Sequence, residues 1–287
     1  MSMQTIRRLL LFALPALLLA SCNKSNDPNY NTDHPEHGKI TVTADWSGIG
    51  QDITKPSAFT VAVGGHTVEA TGDSHAIDNL FDPGDYRLYA YNKADNITVS
   101  GTTATADYTA GTPDWFFTCS VDVKVEADKV HAVTAVMKRQ VREVTLVIGL
   151  TGGTADRIEG ITATLSGVAG TYDFDSGTHG SATSAPLTFA KQTSGDNAGK
   201  WTATVRLLGV TGSEQKLTGT IRFTGGRPDD MPLQSDLSAD LANFNANKTE
   251  PFALGGTVAE TPTGAGFTGT IIDWTESNGG DVNAGME

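Results

Sequence analysis

The sequence predicts an all-β protein of two domains, and three observations support this. Short runs alternate apolar and polar residues with a period of two, and threonine fills many of the polar positions. Glycine pairs such as Gly64-Gly65 follow these runs where the chain must turn. The 287 residues are too many for one ordinary sandwich and enough for two. Short strands at this spacing are typical of a sandwich or a barrel.

The first 21 residues have the order of a bacterial signal peptide. Arg7 and Arg8 precede the apolar run Leu9–Leu19, which is too short to span a membrane. Leu19-Ala20-Ser21-Cys22 follows and resembles the lipobox of bacterial lipoproteins, in which small residues fit a peptidase cleft and the thiol takes up a diacylglyceryl group. We therefore expect lipidation (palmitate) at Cys22 and attachment to the outer membrane, at the cell surface. The alternative is a soluble secreted protein in which Cys22 has no role.

Residues 22–37 predict a lipidated tether between the membrane and the folded body. Asn23–His37 contains no aliphatic residue and could extend roughly 50 Å. Within it, Asp33-His34-Pro35-Glu36-His37 gathers side chains that can bind metals. No further group of ligands accompanies them, so a solvated tether is a better interpretation than a metal site.

Residues 38–139 are predicted to form an N-terminal β-sandwich that ends near the basic cluster at Arg139. The alternation of Ile40, Val42 and Ala44 with polar residues indicates its first strand. Further strands are predicted at Phe59–Val63, Tyr86–Tyr91, Val121–Val125 and Val130–Met137.

Residues 140–287 are predicted to form a C-terminal β-sandwich. Its strands are expected at Val144–Ile148, Ile158–Leu165, Pro186–Ala190, Trp201–Leu208 and Lys216–Phe223. Leu237, Leu241 and Phe244 have the spacing of one helix face, which predicts a short helix within residues 235–247. A polar tail follows, Thr275–Glu287.

Composition excludes some classes of partner and site. The formal net charge is −13, which argues against binding nucleic acid or lying on anionic lipid. The chain has two cysteines, so after lipidation of Cys22 no internal disulfide can form. Cys119 lies two residues after Phe117, and we interpret it as a core residue rather than a nucleophile.

No motif predicts catalysis, a cofactor or a metal. The chain lacks a Gly-x-Ser-x-Gly elbow, a His-Glu-x-x-His pair and a phosphate-binding glycine loop. Asp173 and Asp175 could share one face, but the closing glutamate of a calcium loop is absent. We therefore expect a protein that is not an enzyme, although a hydrolase built from residues scattered across strands stays a third hypothesis.

The four tryptophans suggest an alternative function. Trp46, Trp115, Trp201 and Trp274 could include a platform for a sugar ring, as in surface glycan-binding lipoproteins of polysaccharide-uptake systems. Three of them lie within alternating patterns that favour core packing. Trp115, which follows Pro113-Asp114, is the best candidate for an exposed ligand platform.

Short motifs along the mature chain resemble the Bacteroidales FimB-like, fimbrillin-related lipoproteins, which include fimbrial anchors and minor subunits. The motifs, in the order expected for that family, are His34-Pro-Glu-His-Gly38, Asp45-Trp46-Ser47, Pro83-Gly84-Asp85-Tyr86, Ala90-Tyr91-Asn92, Pro113-Asp114-Trp115-Phe116, Arg139-Gln140-Val141, Asp236-Leu237-Ser238, Phe244-Asn245 and Phe267–Trp274. The resemblance implies two tandem transthyretin-like β-sandwiches and a role as anchor, stalk or tip component. Its implied partners are the membrane, through the lipid, and other fimbrial subunits.

The resemblance also implies joining by β-strand addition, in which a neighbour supplies a strand to an incomplete sheet. Stalk subunits of this group are freed for it when an arginine-directed protease removes an early segment. Here no arginine occurs between Cys22 and Arg87. We therefore expect an unprocessed subunit that keeps its lipid, namely an anchor or an accessory subunit.

Overall fold

The computed structural model describes residues 30–50, 53–151, 155–226, 229–263, 266–271 and 275–276. The predicted signal peptide, Cys22 and the start of the predicted tether lie outside the described residues, as do Trp274 and most of the predicted polar tail. A search of the described part of the chain finds no helix with the length and apolar character needed to span a bilayer.

Ten strands precede residue 140, and most of them match the alternating patterns of the sequence. They are β1 Gly38–Asp45, β2 Ala58–Val63, β3 His66–Thr71, β4 Ser74–Ala76, β5 Gly84–Tyr91, β6 Ile97–Ser100, β7 Thr103–Ala106, β8 Phe117–Val125, β9 Lys129–Val136 and β10 Lys138–Arg139.

Nine more strands and two short 3-10 turns follow. The strands are β11 Arg142–Thr151, β12 Ile158–Asp173, β13 Thr178–Lys191, β14 Trp201–Leu207, β15 Lys216–Phe223, β16 Met231–Asp236, β17 Phe252–Thr263, β18 Gly266–Ile271 and β19 Thr275–Glu276; the turns are Ala155–Arg157 and Thr224–Gly226. The predicted all-β class is confirmed.

The strands form three sheets in which most pairs are antiparallel. A three-stranded sheet has the order β4-β1-β9, and a five-stranded sheet has the order β10-β8-β5-β2-β3. The largest sheet has the order β13-β14-β11-β17-β18-β16-β15-β12-β7-β6, and β12 also pairs with β13. Each half of the chain contains one long parallel pair, β1 with β9 and β11 with β17.

Two hydrophobic clusters lie one after the other along the chain. The first is built from residues 40–137, between the two smaller sheets. The second is enclosed by the largest sheet, and it also takes Ala94, Ala104, Ala106, Tyr108 and Phe116 from the N-terminal half. The Tyr108 hydroxyl accepts a hydrogen bond from the Leu208 N–H at 3.0 Å, so the segment carrying β6 and β7 is fixed on the C-terminal body. The domain boundary near Arg139 stays a prediction.

The helix predicted within residues 235–247 is replaced by a series of turns. The prediction of its apolar face holds, because Leu237, Leu241 and Phe244 are buried. However, one i to i+4 hydrogen bond, from Leu241 to Leu237, is followed by i to i+3 bonds. The Asn245 side chain bonds to the backbone of Val210 instead of facing solvent. Asparagine side chains that compete for backbone groups in this way disfavour a regular helix.

Candidate functional site

Strand β9 is an edge strand of the N-terminal body. It pairs in parallel with β1 over its whole length, from Gly38 opposite Lys129 to Asp45 opposite Val136. No strand in the described ranges pairs with its other side. An edge of this kind presents unpaired backbone N–H and C=O groups to which another extended chain can bond.

Strand β9 carries apolar side chains on both of its faces, and Thr134 is the polar residue of the exposed face. Val133 and Ala135 are buried in the first cluster. At the alternate positions Val130, Ala132 and Val136 are exposed; Val130 is 58% and Val136 43% exposed. A strand with one solvated face normally carries polar residues there, so β9 has the composition of a strand that is covered on both sides.

Strand β8 faces β9 across a groove of about 440 Å³. It pairs with β5 along Thr118–Val125, and on its other side β10 reaches only Phe117 and Thr118. Among the described strands, therefore, none fills the space between Cys119–Val125 and β9. The groove is lined by Val121, Asp122, Val123 and Lys124 of β8 and by Val130, His131, Ala132, Val133 and Thr134 of β9.

The C-terminal half shows how such a parallel pair is completed. Strand β17 pairs with β11 just as β9 pairs with β1. The other side of β17 is covered by β18 along Val258–Thr263 and by β19 at Leu254 and Gly255. The β9 edge lacks an equivalent cover within the described residues, so the N-terminal body is one strand short of the C-terminal arrangement.

The turn between β8 and β9 holds the chain that arrives from Cys22. Asp128 in this turn has a φ of 57°. Its carboxylate accepts hydrogen bonds from the backbone N–H groups of Asn31, at 2.8 Å, and Thr32, at 2.7 Å. These bonds, the one from Asn31 first, hold the pKa of Asp128 below its usual value. Asn31 and Thr32, at the described end of the predicted tether, are therefore fixed at one end of the β8–β9 groove.

Trp115, the predicted ligand platform, lies where the two hydrophobic clusters meet. Its ring packs against both clusters and lines a cleft of about 660 Å³. The Arg139 guanidinium lies 4.2 Å from the ring centroid and that of Arg206 lies 5.1 Å away. Arg206 also bonds to Asp114 at 2.7 Å. The ring thus stacks with arginines of the protein itself, and its role as a sugar platform stays a prediction.

The other candidate residues have structural partners. Trp46 and Trp201 are buried, and Trp46 makes edge contacts with Phe59 and Phe117. Burial also raises the pKa of the Cys119 thiol, which makes the thiolate scarce at neutral pH.

The Asp173 and Asp175 pair has no calcium geometry. Asp173 caps a turn through the N–H groups of Asp175 and Ser176, and Asp175 pairs with Arg87. Over the described ranges, no group of three His, Cys, Asp or Glu side chains could hold a metal ion.

A family model of the fimbrillin-A associated anchor proteins Mfa1 and Mfa2 matches residues 60–240. The chain belongs to this family. The matched residues include β8, β9 and the junction between the two bodies. Membership confirms the resemblance to fimbrial anchor proteins that the short motifs indicated.

Solved structures share the fold at low sequence identity. One candidate adhesin from Bacteroides ovatus is 16% identical with a TM-score of 0.57, and the match covers 83% of this chain and 93% of that chain. A second from the same species is 10% identical with a TM-score of 0.57 and coverages of 85% and 96%. The fimbrial anchor protein Mfa2 from Porphyromonas gingivalis is 14% identical with a TM-score of 0.52 and coverages of 84% and 97%. These likenesses confirm the sandwich fold. No curated protein matches the chain.

Sequence reasoning located β9 within Val130–Met137 but missed its exposed apolar row. The signal is present in the sequence, because valine or alanine occupies five of the eight positions from Lys129 to Val136 and both faces of the strand. A strand of a half-solvated sheet would alternate with polar residues. The missing strand next to β9 could not be seen from the sequence, because it depends on which strands pair.

Proposed function

We propose that this protein is a non-catalytic fimbrial anchor or accessory subunit that is held on the outer membrane by lipid at Cys22. In this proposal a neighbouring subunit adds a β-strand along β9. The observation that carries the proposal is the uncovered edge of β9, with Val130 and Val136 exposed beside it. Membership of a fimbrial anchor family supports a location at the cell surface and other fimbrial subunits as partners.

An added strand would satisfy two deficits of the N-terminal body at once. Its backbone would bond to the free edge of β9, and its side chains would pack beside Val130, Ala132 and Val136 on the same face of the sheet. The same arrangement already exists at β17, which β18 covers. The groove toward β8 gives the incoming side chains a place to pack.

Attachment to the membrane is proposed from the sequence order before Cys22 and from the position of the tether. Cys22 and Tyr30 are eight positions apart in the chain, which could span at most roughly 29 Å. Since Asn31 and Thr32 are bonded to Asp128, the β8–β9 turn would lie within that distance of the lipid.

The absence of catalysis is part of the proposal. It is supported by the family description, by the lack of a catalytic motif and by the burial of Cys119. The strongly acidic composition supports the absence of a nucleic-acid partner.

Lysine on the exposed face of β9 should abolish assembly without unfolding the protein. In Val130→Lys/Val136→Lys, two charges would be buried by any added strand, whereas in the free subunit they face water. We expect the change in the free energy of unfolding to stay within about 0.5 kcal/mol per site. The measurement is whether a ladder of higher-mass fimbrial species still co-purifies with the variant.

A matched control is Thr67→Lys on β3, which is also exposed on an edge strand, at the far side of the five-stranded sheet. This variant should keep the ladder. A ladder that persists in the β9 variant, or disappears equally in the control, would contradict strand addition at β9.

The native protein should resist an arginine-specific protease over its N-terminal body. Arg87 lies inside β5, between β2 and β8, and pairs with Asp122 and Asp175, while Arg139 and Arg142 are buried. Cleavage at these sites requires unfolding, whereas Arg157 is exposed in a single 3-10 turn and should be cut first.

N-terminal sequencing of the fragments checks this prediction, with a urea-unfolded sample as the control that reveals every site. A fragment that starts at Leu88 under native conditions would show that a processed form exists, and would count against the unprocessed anchor.

A further inference from the structure

A second cleft, of about 490 Å³, lies where β10 leads into the C-terminal body. One wall is formed by Lys138, Arg139 and Gln140, which connect the two bodies. The opposite wall is formed by Tyr172, His179 and residues 245–249. The cleft shares no lining residue with the β8–β9 groove, and it touches the edge of β9 proposed above only at Val136.

Lys248 is the central charged group of this cleft. Its ammonium donates hydrogen bonds to Gln140 Oε1 and to His179 Nε2, both at 3.1 Å. It also lies 4.5 Å from the centroid of the Tyr172 ring. These partners are all uncharged at neutral pH, because desolvation, followed by the nearby Lys248, lowers the pKa of His179 to about 4.

The cleft is cationic although the protein is acidic. Lys138, Arg139 and Lys248 line it, and none of its described lining residues is an aspartate or a glutamate. No ion pair to Lys248 is found among the described residues either. In a chain of net charge −13, a cleft that Lys138 and Lys248 line without an acidic neighbour in its lining concentrates positive potential, while Arg139 is engaged with Trp115.

Burial without a counter-ion has a measurable consequence for Lys248. Desolvation lowers the pKa of its amine to about 7. A partly buried ammonium without a neighbouring anion is unfavourable, because burying a charge costs free energy unless an opposite charge compensates it.

We propose that this cleft is a binding site for a carboxylate, which completes an ion pair with Lys248. Gln140 and His179 hold the ammonium in place, and the exposed Lys138 adds to the positive potential of the cleft. A carboxylate fits better than a phosphate dianion, because the one buried ammonium is neutralised by a single negative charge and a second charge would be desolvated without a partner. The carboxylate of an acidic sugar and that of an acidic amino acid share this chemistry.

Binding should weaken as the pH rises through about 7. The ligand carboxylate stays ionised across this range, while the Lys248 amine loses its proton. The other titratable or charged groups that line the cleft are Lys138, Arg139, Tyr172 and His179. His179 is already neutral well below pH 7, and burial raises the pKa of Tyr172, so neither titrates in this window.

The test is calorimetric titration of the intact lipoprotein in detergent at pH 6 and pH 8. The probes are glucuronate, N-acetylglutamate, inorganic phosphate and glucose, which lacks the carboxylate of glucuronate. We expect at least one of the two carboxylates to bind with a Kd on the order of 1 mM at pH 6, more tightly than phosphate, and glucose not to bind. Lys248→Met, which keeps the length of the buried stem, should weaken binding about 10-fold or more. Lys200→Met, at an exposed lysine, should leave it unchanged.

A measurement on the unsubstituted protein guards against misfolding of the variant. The ¹³Cε resonance of Lys248 reports its pKa, which should rise when saturating carboxylate is added. Tighter binding of glucuronate than of N-acetylglutamate would identify an acidic sugar as the source of the carboxylate. Tighter binding of N-acetylglutamate would identify an acidic peptide group. An unmoved Lys248 pKa, equal binding by Lys248→Met, or tighter binding of phosphate would overturn the proposal.

Discussion

Replacing Cys22 by alanine should release the protein from the membrane completely. Each methylene of an acyl chain contributes about 0.8 kcal/mol to membrane binding, so the loss of two or three chains removes on the order of tens of kcal/mol. The measurement is fractionation together with metabolic labelling by a palmitate analogue, and the variant should be soluble and unlabelled.

The chain provides its own control for this experiment. Cys119 is the only other cysteine and is buried in the first cluster, so Cys119→Ala should keep both the label and the membrane location. Equal labelling of Cys22→Ala and of the unsubstituted protein would show that the lipid is attached at another residue, or that residues 1–21 are not a lipoprotein signal peptide.

Alanine at Phe117 should loosen the N-terminal body, and alanine at Phe116 the C-terminal body. The two side chains are neighbours in sequence and fully buried, yet Phe117 belongs to the first cluster and Phe116 to the second. Each substitution leaves a cavity the size of a phenyl ring and should lower the free energy of unfolding by about 3–5 kcal/mol. Hydrogen exchange, followed amide by amide, should show the loss of protection in the strands around the affected cluster.

Phe117→Leu is the milder control, because leucine fills much of the space of the ring, and its cost should be well below that of Phe117→Ala. If both alanine variants reduce protection equally in β2 and β14, the two clusters unfold as a single cooperative unit. That result would remove the basis for treating the halves as separate domains.

Strands with strong local patterns could be read from the sequence. Lys216–Phe223 was predicted with the bounds that β15 has, and Phe59–Val63 differs from β2 by one residue. These segments alternate regularly and end at glycine or charged residues, so the local pattern carries enough information. The alternating pattern alone is compatible with either a sandwich or a barrel. The resemblance to fimbrial lipoproteins predicted two tandem sandwiches.

Features that depend on distant partners could not be predicted. The pairing of β1 with β9 joins segments about 90 residues apart, and no local pattern encodes it. Strands β6 and β7 were missed because Ile97–Ser100 and Thr103–Ala106 are short and rich in threonine and alanine. No sequence pattern predicts the cleft around Lys248, because only the fold brings Gln140, His179 and Lys248 together.

The parallel pairing of β1 with β9 bears on how a fibre under tension would load this protein. Force from the lipid would first reach Asp128, at the start of β9, through Asn31 and Thr32, and once those bonds open it would enter at the first residue of β1. Force from a strand docked on β9 would pull the opposite way along the same axis. The hydrogen bonds between Gly38–Asp45 and Lys129–Val136 would then be loaded in shear, all at the same time, and would not break one by one. The sheet would therefore resist the pull of flow past the cell along its mechanically strongest direction.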